Sequence, residues 1–425
     1  MTFKNQTNRI ALISVSGDPA AEIGQEEAGG QNVYVRQVGL ALAASGWLVD
    51  MFTRRLSTDQ LAVVQHAPNC RTIRLTAGPV KFISRDQVFD YLPEFVRQFQ
   101  AFQQQSGFVY PLVHTNYWLS SWVGMELQKQ QALKQVHTYH SLGAIKYRTI
   151  SELPRIAATR LAIEKACLET VDRVVATSPQ EIEHMRSLVS AQGKIDMIPC
   201  GTDIERLGSI KRDAARQRLN IPANAKVVLY VGRFDPRKGI ETLVRAIANS
   251  NLLDEGDLCL IIAGGYRVGA NDGVECERIK AIVKKLGLEA ITSFPGRLSE
   301  ADLPVYYAAA NVCVVPSHYE PFGLVAIEAM ACRTPVVASN VGGLQFTVIP
   351  EVTGLLAPPQ NEMAFTQAID RILSDPEWAD FLGQTARQRV EIALSWDSVA
   401  SRLSCLYRQL LSSEVLTEKA SQLVA

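Results

Sequence analysis

The chain has no apolar run approaching the roughly 18 residues that a membrane-spanning helix requires. Its first residues, Met1 to Arg9, lack the apolar core of a secretory signal. The eight cysteines are scattered, with no Cys-x-x-Cys pair and no Cys/His spacing of a metal site. Cys259, Cys313 and Cys332 lie in apolar segments, as reduced core thiols of a cytoplasmic protein do. Asn5-Gln6-Thr7 has the form of a glycosylation acceptor, a chance match without a secretory signal. Charge of one sign is not in excess. The 43 basic residues balance 43 acidic ones, which leaves nucleic acid and anionic membrane without an electrostatic argument. The phosphate fingerprints Gly-x-Gly-x-x-Gly and Gly-Lys-Ser/Thr are missing, which disfavours a nicotinamide-dependent dehydrogenase and a P-loop enzyme. No Asp-x-Asp cluster follows a strand, so no metal is implied.

What is present is a long alternation of β-rich runs and helical periods, the pattern of parallel α/β layers. At 425 residues, 47% hydrophobic and 20% charged, the chain is expected to form two globular domains. The first unit reads as a strand at Arg9–Val15, a glycine-containing loop, a helix from about Val33 to Ser45 stopped by Gly46, and a strand at Trp47–Thr53. Further strands are expected at Pro111–His114, Gln135–His140 and Arg173–Thr177. The second unit opens with the strand Lys226–Gly232. It continues with a helix over Ile240–Asn249, a strand at Leu258–Ala263, a helix over Val274–Leu286, a strand at Ile291–Phe294 and a helix at Leu303–Ala310. Apolar strands follow at Val312–Val315 and Pro335–Ala338. The polar stretch Asp203–Ala225 ends in the turn Ile221-Pro222-Ala223-Asn224 and places the boundary between Gly201 and Lys226. From Asn361 the chain reads as helical, and Trp396–Leu411 carries apolar residues at helical spacing.

The most informative segment runs from Glu320 to Glu328. Its helix is expected to start near Phe322 or Gly323 and to aim free N–H groups and a positive dipole end at a phosphate. Gly323 permits close backbone approach, joined by Phe322 and Leu324. Glu328, further along the helix, can accept two hydrogen bonds from a ribose diol, and Glu320 can hold sugar hydroxyls. Arg233 and Lys238 lie between a strand and a helix, where a bidentate guanidinium and a point charge meet phosphate oxygens. The loop Ala28-Gly29-Gly30-Gln31-Asn32 leaves N–H groups free for an anion. His140 ends a strand, where a histidine is more often a structural hydrogen-bonding group.

Glu-Pro-Phe-Gly-Leu…Glu between two apolar strands resembles the donor-site signature of retaining family 4 glycosyltransferases. Gly232-Arg233…Lys238-Gly239 resembles a second element of that family. Gly29-Gly30-Gln31 resembles sucrose-phosphate synthases and sucrose synthases, and His140-Ser141-Leu142-Gly143…Lys146 resembles sucrose-phosphate synthases. Val341-Gly342-Gly343-Leu344 is closer to the inositol-phosphate transferases of mycothiol synthesis and to general family members. The resemblance implies the GT-B fold: two Rossmann-like domains facing a central cleft, with a C-terminal helix crossing back. It assigns 1–200 with 396–425 to the acceptor side and 201–395 to the nucleotide-sugar donor side.

It further implies transfer of glucose from UDP-glucose, or ADP-glucose, to fructose 6-phosphate with retention. Other acceptors in the same family are fructose, inositol phosphate or a lipid or polysaccharide end. His140, Arg233, Lys238 and Glu320 are the implied catalytic set; Arg297 is implied near the ribose or phosphate. His140 would hydrogen-bond the 6-hydroxyl of the transferred glucose. Arg85, Lys146 and Arg160, with Lys81 and Tyr117, are the implied acceptor contacts. Retention usually signals a carboxylate nucleophile. The resemblance implies front-face attack instead, aided by domain closure, without a cofactor, and with a separate sucrose-phosphate phosphatase downstream.

Overall fold

The computed structural model describes residues 8–21, 29–149 and 152–424. Ala28 and the Asn5–Thr7 sequon lie outside the described residues. The chain divides into two compact units, Met1–Pro199 with Trp396–Ala425, and Cys200–Ser395.

The first unit is built on eight strands: β1 (Arg9–Ile13), β2 (Leu48–Arg54), β3 (Val63–Ala67), β4 (Cys70–Leu75), β5 (Leu112–Asn116), β6 (Lys134–Thr138), β7 (Arg173–Ala176) and β8 (Ile195–Met197). Their order is β3-β4-β2-β1-β5-β6-β7-β8, parallel except for β3, which closes one edge antiparallel to β4. β1, β2 and β5 are almost wholly buried, as expected where helices cover both faces. Between β1 and β5 the strand order reverses, the point where α/β sheets bind ligands at their carboxyl ends.

The second unit carries β9 (Lys226–Val231), β10 (Leu258–Ala263), β11 (Thr292–Gly296), β12 (Val312–Val315), β13 (Val336–Ser339) and β14 (Gly354–Ala357). All are parallel, in the order β11-β10-β9-β12-β13-β14. That is the doubly wound order, with its reversal between β9 and β12. Apolar runs such as Val312-Cys313-Val314-Val315 are buried at every position. A core of Val228, Leu260, Ile262, Val314 and the helix Ile240–Ala248 fills one face.

The last helix, Trp396–Val424, returns to the first unit. Trp47 Nε1 donates to Ser404 Oγ at 2.8 Å, the Tyr407 hydroxyl meets His114 Nδ1 at 2.5 Å, and Trp396 packs edge-on to Tyr34. Among the described residues no helix is long and apolar enough to cross a membrane. Among the described residues no disulfide joins the eight cysteines, six of which are buried.

The expected strands and helices occur with ends shifted by a few residues. The first helix begins at Gly30, three residues before Val33. Four strands carried no expectation: β3, β4, β8 and β14. In β4 the alternation Cys70-Arg71-Thr72-Ile73-Arg74 hides a buried strand because its arginines have buried partners. Arg71 donates to Asp50 at 2.6 Å and Arg74 to Asp18 at 2.8 Å.

Candidate active site

In the second unit the site grows from the two strands that flank the reversal. After β9 comes Gly232, then exposed Arg233 and a turn Pro236–Lys238 capped by Asp235. The Asp235 carboxylate takes up Arg237, accepting from its backbone N–H and its guanidinium, so Arg237 is occupied while Arg233 is exposed and Lys238 partly so. Gly239 closes the turn at φ 68°; a Cβ there would stand 2.0 Å from the Pro316 carbonyl. His318 N donates to Arg237 O at 2.7 Å. The loops after β9 and β12 are thereby tied together.

That tie brings Lys238 to Glu320, with Nζ 2.5 Å from Oε2. Beyond Glu320 the chain turns through Gly323 at φ 96°, a left-handed value suited to glycine. The helix Leu324–Ala331 then starts, its first N–H groups lacking intrahelical partners. Glu328 Oε2 accepts from the buried Tyr307 hydroxyl at 2.7 Å. Burial raises the Glu328 carboxyl above its usual range, and the Tyr307 hydrogen bond opposes that. Gly342 and Gly343 support the loop: Gly343 N donates to Glu320 O at 3.0 Å, and a Cβ on Gly342 would sit 2.3 Å from that oxygen.

Two further donor-side candidates are Phe322 and Arg297. Phe322 is 4% exposed and packs against Phe346, so its ring belongs to the core and only its backbone faces the loop. Arg297 is exposed at the carboxyl end of the edge strand β11, its methylenes beside Gly265, two strands from β9.

In the first unit the candidates gather at the β1/β5 reversal. Gly29 caps the first helix, with Gly29 N donating to Asn32 Oδ1, and a Cβ there would meet nothing within 4 Å. The backbone is crowded instead at Gly17, where a Cβ would lie 2.9 Å from Ser14 Oγ. Gly30 is exposed at the helix start. Gln31 Nε2 donates to Ser14 Oγ at 3.0 Å and approaches Asn116 O at 3.5 Å. His140 Nε2 lies 2.8 Å from Asn116 Oδ1, and its ring meets Tyr34 edge-on at 4.8 Å. Burial pushes the His140 imidazole down to about 3, which keeps it neutral.

A second cluster stands beside it. Tyr117, 4% exposed, has the guanidinium of Arg85 5.3 Å and that of Arg160 5.1 Å from its ring centre. Arg160 is 2% exposed. It donates to Glu164 at 2.7 Å, to Ser141 O at 2.7 Å and to the Tyr117 hydroxyl at 3.2 Å. Expected as a direct phosphate contact, Arg160 has most of its donors engaged inside the fold. Glu164 also accepts from Gly143 N, three residues before half-buried Lys146. Lys81 is exposed; its carbonyl accepts from the buried Arg54, which holds the loop Ala77–Lys81. Lys81 has no recorded side-chain contact with this cluster.

The sequence does not single out Asn116, Tyr34 or Tyr307, and it marks Gly342–Gly343 only by resemblance, not as support for the Glu320 loop. Asn116 was legible as the last polar residue of the run His114-Thr115-Asn116 ending an apolar strand. Nothing local marks Tyr307, 21 residues before the carboxylate it holds.

Comparison with known proteins gives the family. Residues 28–206 match the model of the Glycosyltransferase Family 4 domain, and 211–389 that of the Glycosyl transferases group 1 domain. The chain is 34% identical to a D-inositol 3-phosphate glycosyltransferase of Saccharomonospora viridis over 95% of both chains. It is equally identical to one of Kineococcus radiotolerans, over 96% of this chain and 97% of the other. It superimposes on a sucrose-phosphate synthase of Thermosynechococcus elongatus with TM-score 0.88 and 53% identity, over 96% of this chain and all of that one. The HepE protein of Anabaena, solved with UDP and glucose, shares the fold at TM-score 0.73 and 21% identity, over 95% of this chain and 99% of that one. The two α/β units, their doubly wound sheets and these relatives together establish that the chain belongs to the family 4 glycosyltransferases and has their GT-B fold.

Proposed function

We propose that the chain transfers glucose from UDP-glucose to fructose 6-phosphate, with retention, giving sucrose 6-phosphate and UDP. The observation that carries this reading is the pairing of Lys238 with Glu320 beside the Gly323–Leu324 helix start, within a chain 53% identical to a sucrose-phosphate synthase. Glu328 takes the ribose, the helix N–H groups, Arg233 and Lys238 take the diphosphate, and Glu320 takes glucose hydroxyls. In the reaction the bond from C1 to the diphosphate oxygen breaks. The bond from C1 to the fructose hydroxyl forms on the same face, and the hydroxyl proton passes to the departing phosphate oxygen. The cations and N–H groups stabilise the charge that builds on that oxygen. No resident cofactor takes part in this scheme. On the acceptor side, Arg85 and Lys146, with Arg160 holding Tyr117, recognise the phosphate dianion. The phosphate ester so made needs a separate phosphatase to release free sucrose, and the reduced cysteines favour a cytoplasmic setting.

A second reading, transfer to inositol 3-phosphate, is favoured by the curated relatives and by Val341-Gly342-Gly343. Purified protein incubated with UDP-glucose or ADP-glucose and with fructose 6-phosphate, fructose or inositol 3-phosphate separates these readings. Sucrose 6-phosphate formed only from the phosphorylated ketose supports the first. Product from inositol 3-phosphate alone replaces it with the second.

A further inference from the structure

We infer that Asn116 is a positioning residue: it fixes His140 as the tautomer protonated on Nε2 and thereby presents a bare Nδ1 to a hydroxyl of the donor sugar. The inference rests on the proposed role of His140 as a sugar contact and adds what selects its hydrogen-bonding form.

Asn116 is the last residue of β5. Asn116 is 1% exposed, and its Nδ2 donates to the His114 carbonyl at 3.2 Å. A carbonyl only accepts, so the amide nitrogen must face it and Oδ1 must face the other way. Oδ1 stands 2.8 Å from His140 Nε2. Because Oδ1 also only accepts, the shared proton belongs to Nε2. The groups around the imidazole are the Tyr34 ring, edge-on at 4.8 Å, and two further histidines, His114 and His137. Burial holds both of those histidines neutral, and it does the same to His140. A neutral imidazole has one N–H, so Nδ1 keeps its lone pair. No partner for Nδ1 is recorded among the described residues.

The backbone supports the same orientation. His140 sits at φ 59°, a left-handed conformation uncommon for a residue other than glycine, which sets the direction its side chain leaves the end of β6. Gln31, which approaches the Asn116 carbonyl, anchors to Ser14 at the end of β1. The carboxyl ends of β1, β5 and β6 thus converge on one ring. A bare imidazole nitrogen accepts a hydrogen bond from a hydroxyl, in this reading the 6-hydroxyl of glucose. The opposite tautomer, or the imidazolium, cannot.

The test uses the whole protein with 15N-labelled histidine. Long-range 1H–15N correlation reports the tautomer, and loss of one set of signals in His140→Gln assigns the ring. The expected result is an Nε2-protonated His140 that does not titrate between pH 8 and pH 5. Asn116→Asp, close in shape, supplies a carboxylate that raises the His140 pKa and makes the ring titrate in that range. In parallel, kcat/KM is compared for UDP-glucose and UDP-6-deoxyglucose. Wild type is expected to favour the first about tenfold at every pH from 8 to 5, and Asn116→Asp to show a preference that changes with pH as its His140 titrates. A wild-type His140 protonated on Nδ1 overturns the tautomer assignment. The expected tautomer with no preference between the two donors overturns the sugar contact while transfer itself stands.

Discussion

In the second unit Arg233 stands exposed and Lys238 leans on Glu320 with 27% of its side chain accessible, whereas in the first unit Arg160 and Glu164 are closed off at 2% and 0%. The two arrangements do different physical work. A half-open lysine can exchange its carboxylate for a phosphate at small desolvation cost. A fully buried pair cannot be separated cheaply, because each charge left alone in the interior loses water without compensation. In the proposed scheme the second unit therefore carries cations that change partners, and the first unit carries cations that hold shape, leaving Arg85 and Lys146 as its adaptable charges.

The sharpest way to break that contrast is to remove Glu164. Glu164→Ala strands the Arg160 guanidinium and is expected to cost the first unit about 3–5 kcal/mol. Hydrogen exchange followed by mass spectrometry should show the loss in Ala157–Thr170 and its neighbours and spare Cys200–Ser395. A variant whose only defect is a raised requirement for fructose 6-phosphate would make Arg160 a ligand contact first. Next in size, Gly343→Ala pushes a Cβ to 2.3 Å from the Pro321 carbonyl and shifts the loop that carries Glu320. Turnover should fall about 100-fold, the expected cost of a displacement near 1 Å at a reacting site, with melting little changed.

Acid separates the units by a third route. His114 and His137 are 1% and 0% exposed, and burial holds both pKa values below that of a free histidine, His114 at about 3. Below pH 6.5 the unfolded chain takes up protons that the folded unit refuses. Each of these histidines therefore removes about 1.4 kcal/mol of stability per pH unit down toward its folded pKa. Glu164 and Glu181, whose carboxyls burial raises, oppose part of that slope. The second unit has only the milder case of His318, half-buried, where burial lowers the pKa and Asp235 raises it. Between pH 7.5 and 5, exchange protection should fall mainly in the first unit, and His137→Gln should flatten the dependence. The smallest effect is at Tyr307: Tyr307→Phe removes one hydrogen bond from Glu328 and should weaken UDP binding by about 1 kcal/mol, read by calorimetry.

How far the sequence revealed this differs between the units for the same reason. The proposed donor site comes from two segments, Gly232 to Gly239 and Glu320 to Glu328, each holding its residues in one strand–loop–helix turn, so spacing conveys the geometry within each but not the Lys238–Glu320 pair that joins them. In the first unit the decisive contacts join residues distant in sequence, Gln31 to Ser14, His140 to Asn116 and Arg85 to Tyr117. Those emerge only once β1, β5 and β6 lie side by side. Strand β4 escapes sequence patterning because buried ion pairs invert its polarity, and the burial of the Phe322 ring depends on Phe346, 24 residues on.

The central claim is that Lys238 acts on charge that develops during transfer. UDP-glucose is titrated calorimetrically into wild type and Lys238→Ala, and turnover with fructose 6-phosphate is measured on the same samples. The expected result is a Kd changed by only a few-fold with turnover lowered about 100- to 1,000-fold, the cost of removing one stabilising group from a developing anion. Turnover equal to wild type, or losses of the same size in binding and turnover, would contradict the account.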